Sequence, residues 1–293
     1  NNVATACIVK YATKWQKDLY LPLIAKGDIS FVLAYSEIGS CIHFVNPDIT
    51  ESKKGNQRIL NGRKSFVTSA QEADFYLTYT NSCELAGKKN NWIVPSTHPA
   101  LIHEEGVWDG FGMRGNVSKP VQYNQVELNP QDSLLGNEGE GEEQINLVAM
   151  YFVAGLGAVY SGVGKAAYEC ALEHCKSRKY SNGNDLADNE LVRVHLAELY
   201  TKTQSQIALV KDAANSFDMD LSDAPAKIFA CRINATHLVM EICELAMRLG
   251  GGKAYSKHLP LEQYLRDALA SQVMAPSLDI LKIWLGNAIT NKG

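Results

Sequence analysis

The sequence predicts an α+β protein: a short helical start, a small antiparallel β-sheet or barrel, and then a helical bundle. Three observations lead there. From Ile29 the apolar residues alternate, as in Ile29-Ser-Phe31-Val-Leu33-Ala-Tyr35, and strand-forming types dominate. After Ile145 the apolar spacing switches to the helical period and holds to the end. Between the two regimes lies a polar, glycine-rich stretch, Asn137 to Glu143, that reads as a linker. We expect three segments: residues 1–28, 29–135 and 136–293.

Asn1 to Ile24 has a loose apolar stripe at helical spacing, Val3, Ile8, Trp15, Leu19 and Leu23, but is too short to build its own core. Strands are predicted at Ile29–Tyr35, Gln57–Leu60, Ser65–Thr68, Phe75–Thr80, Trp92–Pro95 and Val121–Leu128. Asn61-Gly62 between two of them is a hairpin signal. Helices are predicted over Ile145–Lys176, over Asp188–Phe217 with Asp188 as N-cap, and over Pro225–Arg248. Shorter ones start at Pro260 and Ser277. Long helices with short links suggest an up-and-down four-helix bundle. Gly162-Val-Gly164-Lys-Ala-Ala167 imitates a dinucleotide fingerprint. It lies inside helical periodicity with no strand before it, so helix packing is the expected role.

Composition narrows the function. The chain has 293 residues, 46% hydrophobic and 20% charged, with a formal net charge of -4, which argues against binding nucleic acid through its phosphates. No apolar run is expected to reach the roughly 20 residues that cross a bilayer. Seven scattered cysteines without a CxxC pair suggest reduced thiols and a cytoplasmic protein, and no metal site is expected.

The loop Leu249-Gly-Gly-Gly-Lys-Ala-Tyr255, followed by Pro260-Leu-Glu262 and Arg266-Asp-Ala268, could be a helix C-cap and tight turn, or a backbone cradle for phosphates. Its wording resembles the last helices of the acyl-CoA dehydrogenase family of flavoproteins. Leu33-Ala-Tyr-Ser36-Glu37 is similar to that family's first flavin-contacting strand. Ile59-Leu-Asn-Gly-Arg-Lys64-x-Phe66-Val67-Thr68 followed by Ala70 and Ala73-Asp74 is similar to its next signature. The resemblance covers nearly the whole chain. It implies an acyl-CoA dehydrogenase-like fold, a small antiparallel β-barrel domain followed by a C-terminal four-helix bundle, with the N-terminal helical domain mostly absent.

The resemblance also implies FAD. Ser36 would donate to the flavin N5 region, Phe66 would cover the isoalloxazine, and Thr68 would meet the ribityl or pyrimidine side, with Val67 in the same contact set. Gly251 and Gly252 would lie along the diphosphate. Arg178, in Arg178-Lys-Tyr180, would reach a neighbouring subunit's pyrophosphate, and Arg248 could clasp phosphate or cap its helix. Ser40 would face the substrate's thioester end, in a loop shorter than usual for the family. Read without the family, Phe66 is a core aromatic, Ser36 and Thr68 are strand residues, and Arg178 is a helix-end cation.

Such enzymes abstract a proton beside a thioester with a desolvated carboxylate. The usual Glu after Arg266-Asp267 falls on Ala275, and the alternative position on the first bundle helix falls on Phe152. Asp279 is the nearest carboxylate. Three expectations stay open. One is an FAD-dependent dehydrogenase acting on an acyl thioester carried by CoA or by an acyl carrier protein, in a biosynthetic pathway such as hydroxymalonyl or aminomalonyl extender-unit formation. The second is a flavin monooxygenase of the same fold. The third is a catalytically weakened binding subunit. The family resemblance further implies a homodimer or homotetramer.

Overall fold

The computed structural model describes residues 1–39 and 46–291, so Ser40 lies outside the described residues. The chain divides into two compact units, residues 1–109 with 114–151, and residues 110–113 with 152–293.

The first unit opens with α1 (Asn2–Tyr11) and α2 (Lys14–Lys26). A single helical run was expected here. Thr13 breaks it: its hydroxyl accepts from Gln16 N–H at 3.2 Å and the Gln16 side chain accepts from Thr13 N–H at 3.0 Å, a reciprocal cap that starts α2 afresh. Gln16 is fully buried, and its amide donates to the carbonyls of Asp132 and Leu134 at 3.0 and 2.9 Å. The break also rotates the apolar stripe. Ala4, Cys7, Ile8 and Tyr20 face the core, while Trp15 and Leu19 face solvent.

Seven strands follow: β1 (Phe31–Ala34), β2 (Thr50–Lys54), β3 (Gln57–Thr68), β4 (Phe75–Asn81), β5 (Lys89–Pro95), β6 (Leu101–His103) and β7 (Ser118–Leu128). They form two sheets, ordered β1-β4-β5 and β2-β3-β7-β6. The expected antiparallel pairing holds except between β1 and β4, which run parallel with Phe31 opposite Phe75. The chain between them passes through β2 and β3 of the other sheet, a connection long enough for a parallel return. The predicted hairpin at Asn61-Gly62 is not one. β3 runs straight through, with a bulge between Leu60 and Gly62, and the β2–β3 turn falls at Gly55-Asn56. Gly62 is required for a different reason: φ is 149° and a Cβ there would lie 3.0 Å from Ile49 Cα. β2 was not foreseen, because Thr-Glu-Ser-Lys-Lys has no apolar alternation.

Buried polar groups tie the strands together. Glu51 of β2 accepts from Trp92 Nε1 at 2.9 Å and from Thr80 Oγ1 at 2.8 Å, joining one sheet to the other. Lys64 of β3 is fully buried and forms an ion pair with Glu37, just after β1, while also donating to Tyr79 O at 2.8 Å. Glu37 accepts in addition from the backbone N–H groups of Asp48 and Ile49. Burial pulls the Lys64 ammonium down to about 8, against the opposing pull of Glu37.

The one-turn helix α3 (Pro130–Ser133) precedes α4 (Gly141–Ser177), which begins in the first unit and continues into the second. The remaining helices are α5 (Glu190–Asp218), α6 (Ala224–Tyr255), α7 (Leu261–Val273) and α8 (Leu278–Thr290). These match the predicted helices closely. Asn189, not Asp188, caps α5 by accepting from Leu191 N–H at 2.9 Å. The buried face of α5 is Val192, Leu196, Leu199, Thr203 and Gln206, with Leu191 and Val194 on the solvent side, because the true helix face includes polar residues that a hydrophobic count skips. Gly164 packs α4 against α5, where a Cβ would meet Gln206 Oε1 at 2.9 Å, so the fingerprint-like run serves helix packing.

One composition expectation needs revision. α4 is long and apolar enough to cross a membrane by length and composition. Its residues Leu156, Tyr160, Ala167, Ala171 and Cys175 belong to the buried core of the second unit, while 39% of the apolar window as a whole is buried.

Replacing Lys64 by Met leaves the Glu37 carboxylate buried without its cation and is expected to cost about 3–5 kcal/mol of unfolding free energy. The double variant Lys64→Met, Glu37→Leu is expected to recover most of that loss. Urea unfolding of the single and double variants measures both; equal losses would show that the two groups are not coupled.

Candidate functional site

In the first unit the site residues are placed by β3 and the chain just after β1. Ser65 N–H donates to Ser36 O at 2.7 Å, so the Ser36 segment lies against β3 immediately beside Phe66. The Lys64–Glu37 pair fixes the same two segments from the core side. Along β3 the side chains then alternate. Phe66 and Thr68 are exposed and Val67 is fully buried. Phe66 is therefore not a core aromatic: 62% of it faces solvent. Val67 can offer only its backbone to a ligand. Its side chain belongs to the sheet core with Leu60, Tyr76 and Val121.

Trp108 was missed by the sequence reading. Its ring sits edge-on to Phe66 at 6.5 Å between centroids. Its indole N–H is buried with no hydrogen-bond acceptor. A buried donor without a partner beside an exposed aromatic face is the kind of group a bound ring system with polar edges satisfies. The available signal was an isolated Trp in a Gly- and Asp-rich loop.

In the second unit the glycine loop behaves as a true interruption. α6 is helical on both sides of Gly251, which adopts φ 50° and ψ -138°, a conformation open to glycine. A Cβ at Gly251 or Gly252 would meet nothing within 4 Å, so the backbone here faces open space. Pro260 then starts α7, as expected. Arg178 follows the end of α4, exposed, with its guanidinium 5.6 Å from the Tyr180 ring. Arg248 is exposed in the last full turn before Gly251.

A buried imidazole lies near these. His174, in the last turn of α4, is buried and its Nε2 has no hydrogen-bond partner. Burial pulls its imidazole below the usual 6.5, and the positive charges of Lys253 and Arg178 add to that. Arg178 and Lys253, both felt at His174, thus bring positive charge to the ends of α4 and α6, complementary to a phosphate anion.

Arg266 and Asp267 of α7 hold the segment 110–113. Arg266 Nη1 donates to Phe111 O at 3.0 Å, and Asp267 accepts from Met113 N–H at 2.6 Å. Arg266 also pairs with Glu262 at 2.7 Å. Ala275 follows α7, exposed and unable to take a proton. Asp279 sits in the first turn of α8 with 91% of its side chain in solvent. That exposure is the opposite of the desolvated setting the chemistry calls for. Phe152 is half-buried at the edge of the helical core.

Each unit by itself carries features that suit part of a flavin dinucleotide. An exposed aromatic face, an orphaned buried indole N–H and a neighbouring Ser lie in one unit. A glycine break facing open space and a cluster of cations lie in the other.

Comparison with known proteins agrees. The family model for the acyl-CoA dehydrogenase C-terminal domain matches residues 140–289. An NADH-dependent acryloyl-CoA reductase of Anaerotignum propionicum is 26% identical over 304 residues, covering 99% of this chain and 74% of that protein. Among solved structures, an acyl-CoA dehydrogenase from Geobacillus kaustophilus superposes with a TM-score of 0.90 at 19% identity, covering 99% of this chain and 76% of that one. The prolyl acyl carrier protein oxidase AnaB superposes with a TM-score of 0.87 at 22% identity, covering 98% and 75%.

As pH falls below 6.5, unfolded His174 takes up a proton that the folded protein resists, so unfolding is favoured and stability declines toward the lower folded value. The variant His174→Gln is expected to lose this part of the acid slope. Chemical denaturation at pH 7 and pH 5 checks it; an unchanged slope in the variant would contradict the assignment.

Proposed function

Because the chain belongs to the acyl-CoA dehydrogenase family, and is thus an FAD-dependent oxidoreductase, we propose that it oxidises an acyl thioester tethered to a carrier protein in a biosynthetic pathway. Bound FAD supplies the two-electron acceptor for hydride leaving the acyl chain. The chain's own residues bind and orient. Phe66 presents an apolar wall to the ring system, Ser36 and the Trp108 indole offer donors beside it, and Thr68 shares the Phe66 face of β3. Gly251 and Gly252 let the diphosphate approach backbone, and Arg178 with its neighbours neutralises it.

The observation that carries the reading is Phe66. A large aromatic stands out of the core at 62% exposure, beside a register shift in β3 between Lys64 and Val67 that breaks the in-out alternation. The carrier tether is supported by the likeness to AnaB, whose name states a prolyl acyl carrier protein as substrate. A phosphopantetheine arm would bring the thioester in without a nucleotide pocket.

A second reading, a flavin monooxygenase of the same fold, is favoured by one feature. Ala275 stands where the family's carboxylate base is expected, and a monooxygenase needs no such base.

The purified protein, supplied with FAD, is expected to take up one flavin and turn yellow. Anaerobic mixing with a panel of carrier-bound acyl thioesters should then bleach it. Bleaching only by an external reductant would favour the monooxygenase, and a protein that takes up no FAD would overturn both readings. We also propose a homodimer or homotetramer, supported by the exposed apolar residues Leu191, Val194, Tyr200 and Leu209 along α5. Light scattering should give two or four chains; a single-chain mass refutes it.

A further inference from the structure

The core of the second unit contains a charge with no counter-charge. Arg232 of α6 is completely buried. One nitrogen, Nη2, donates to Ser271 O of α7 at 3.0 Å. The guanidinium carbon lies 4.9 Å from the centre of the Tyr160 ring of α4. Its other two nitrogens, Nε and Nη1, have no hydrogen-bond partner. Among the described residues no carboxylate pairs with it.

The neighbours do not supply the missing charge. The Cys231 thiol is pushed up to about 11 by burial, and burial also raises the Tyr160 phenol, so both are neutral at physiological pH. Asp267 is felt at Tyr160, but its carboxylate already accepts from Met113 N–H. A buried guanidinium is rarely left in this state, because desolvation without a paired anion is strongly unfavourable. The position is informative too. The Tyr160 hydroxyl donates to Met274 Sδ at 3.7 Å, and Met274 directly precedes Ala275. Tyr160 thus touches both the unpaired cation and the residue that precedes Ala275.

We propose that Arg232 receives a carboxylate carried by the substrate's acyl group, so that the substrate class is a thioester whose acyl chain ends in a second, free carboxylate. The proposal rests on the acyl-thioester reading above and narrows it. A planar carboxylate suits a guanidinium, as its counter-charge and as an acceptor from its N–H groups. The Tyr160 face would hold the guanidinium in place, and the Ser271 carbonyl would fix its roll. A buried guanidinium also discriminates: an acyl chain ending in methyl would leave its charge unanswered, whereas a carboxylate would neutralise it and accept from one of its unpartnered nitrogens.

The test uses the full-length protein loaded with FAD and two thioesters of pantetheine, succinyl and butyryl, alike except for a terminal carboxylate or methyl. Isothermal titration calorimetry is expected to show the succinyl thioester binding at least about tenfold tighter. In Arg232→Met, with folding checked by its melting curve, that preference should vanish, and Arg232→Lys should keep part of it. If Arg232 serves only to cap the end of α7, wild type binds both thioesters alike, and that result overturns the proposal. A preference for butyryl, or binding of neither, overturns it as well. If Arg232→Met does not fold, the wild-type pair decides alone. Failure of the flavin reading appears separately, as a protein whose spectrum shows no bound FAD before any thioester is added.

Discussion

The first unit is organised by one buried ion pair. Lys64 sits in the middle of β3 with no solvent contact, and its ammonium is answered by Glu37 and by the Tyr79 carbonyl. Burial of that charge would be untenable without its partner. The pair therefore dictates where the chain after β1 must lie, and it brings Ser36 against Ser65. Lys64 and Val67 both point into the core although they are three residues apart, because β3 shifts register between them, and that irregularity leaves Phe66 facing out. The flavin-binding reading depends on that exposure.

The second unit solves a different problem, the arrangement of helix ends. Gly251 interrupts α6 where an uninterrupted helix would have covered its own backbone. The cations at the end of α4 and beyond Gly251 converge on His174, which burial and like charge keep neutral. Phosphate affinity needs both features: free backbone donors for shape, and positive charge for attraction. Arg266 and Asp267 do separate work, holding the segment 110–113 by its backbone. Their role in this chain is architectural, although in sequence they serve as the marker that leads to the expected base position.

Ala275 and Arg232 belong together in the account of specificity. Where the family resemblance led us to expect a carboxylate, this chain has Ala275, and in the core of the second unit Arg232 has no carboxylate partner among the described residues. An anionic acyl group would be at home there, and a neutral one would leave a desolvated guanidinium facing hydrocarbon.

By itself the sequence determined the architecture. Period-two and period-3.6 patterns marked five of the seven strands and all five long helices, because those patterns are imposed by which face of an element meets a core. The motifs around Ser36, Phe66 and Gly251 carried the resemblance to the family, which the match over residues 140–289 then showed. Only the tertiary structure decided the rest. Asn61-Gly62 has the composition of a hairpin turn yet lies inside a strand, since what constrains Gly62 is Ile49, distant in sequence and adjacent in space. Lys64 and Arg232 look like ordinary cations in one dimension. That one is paired and the other is not depends on which elements pack around them, and burial and pairing are properties of the folded arrangement that no local pattern encodes.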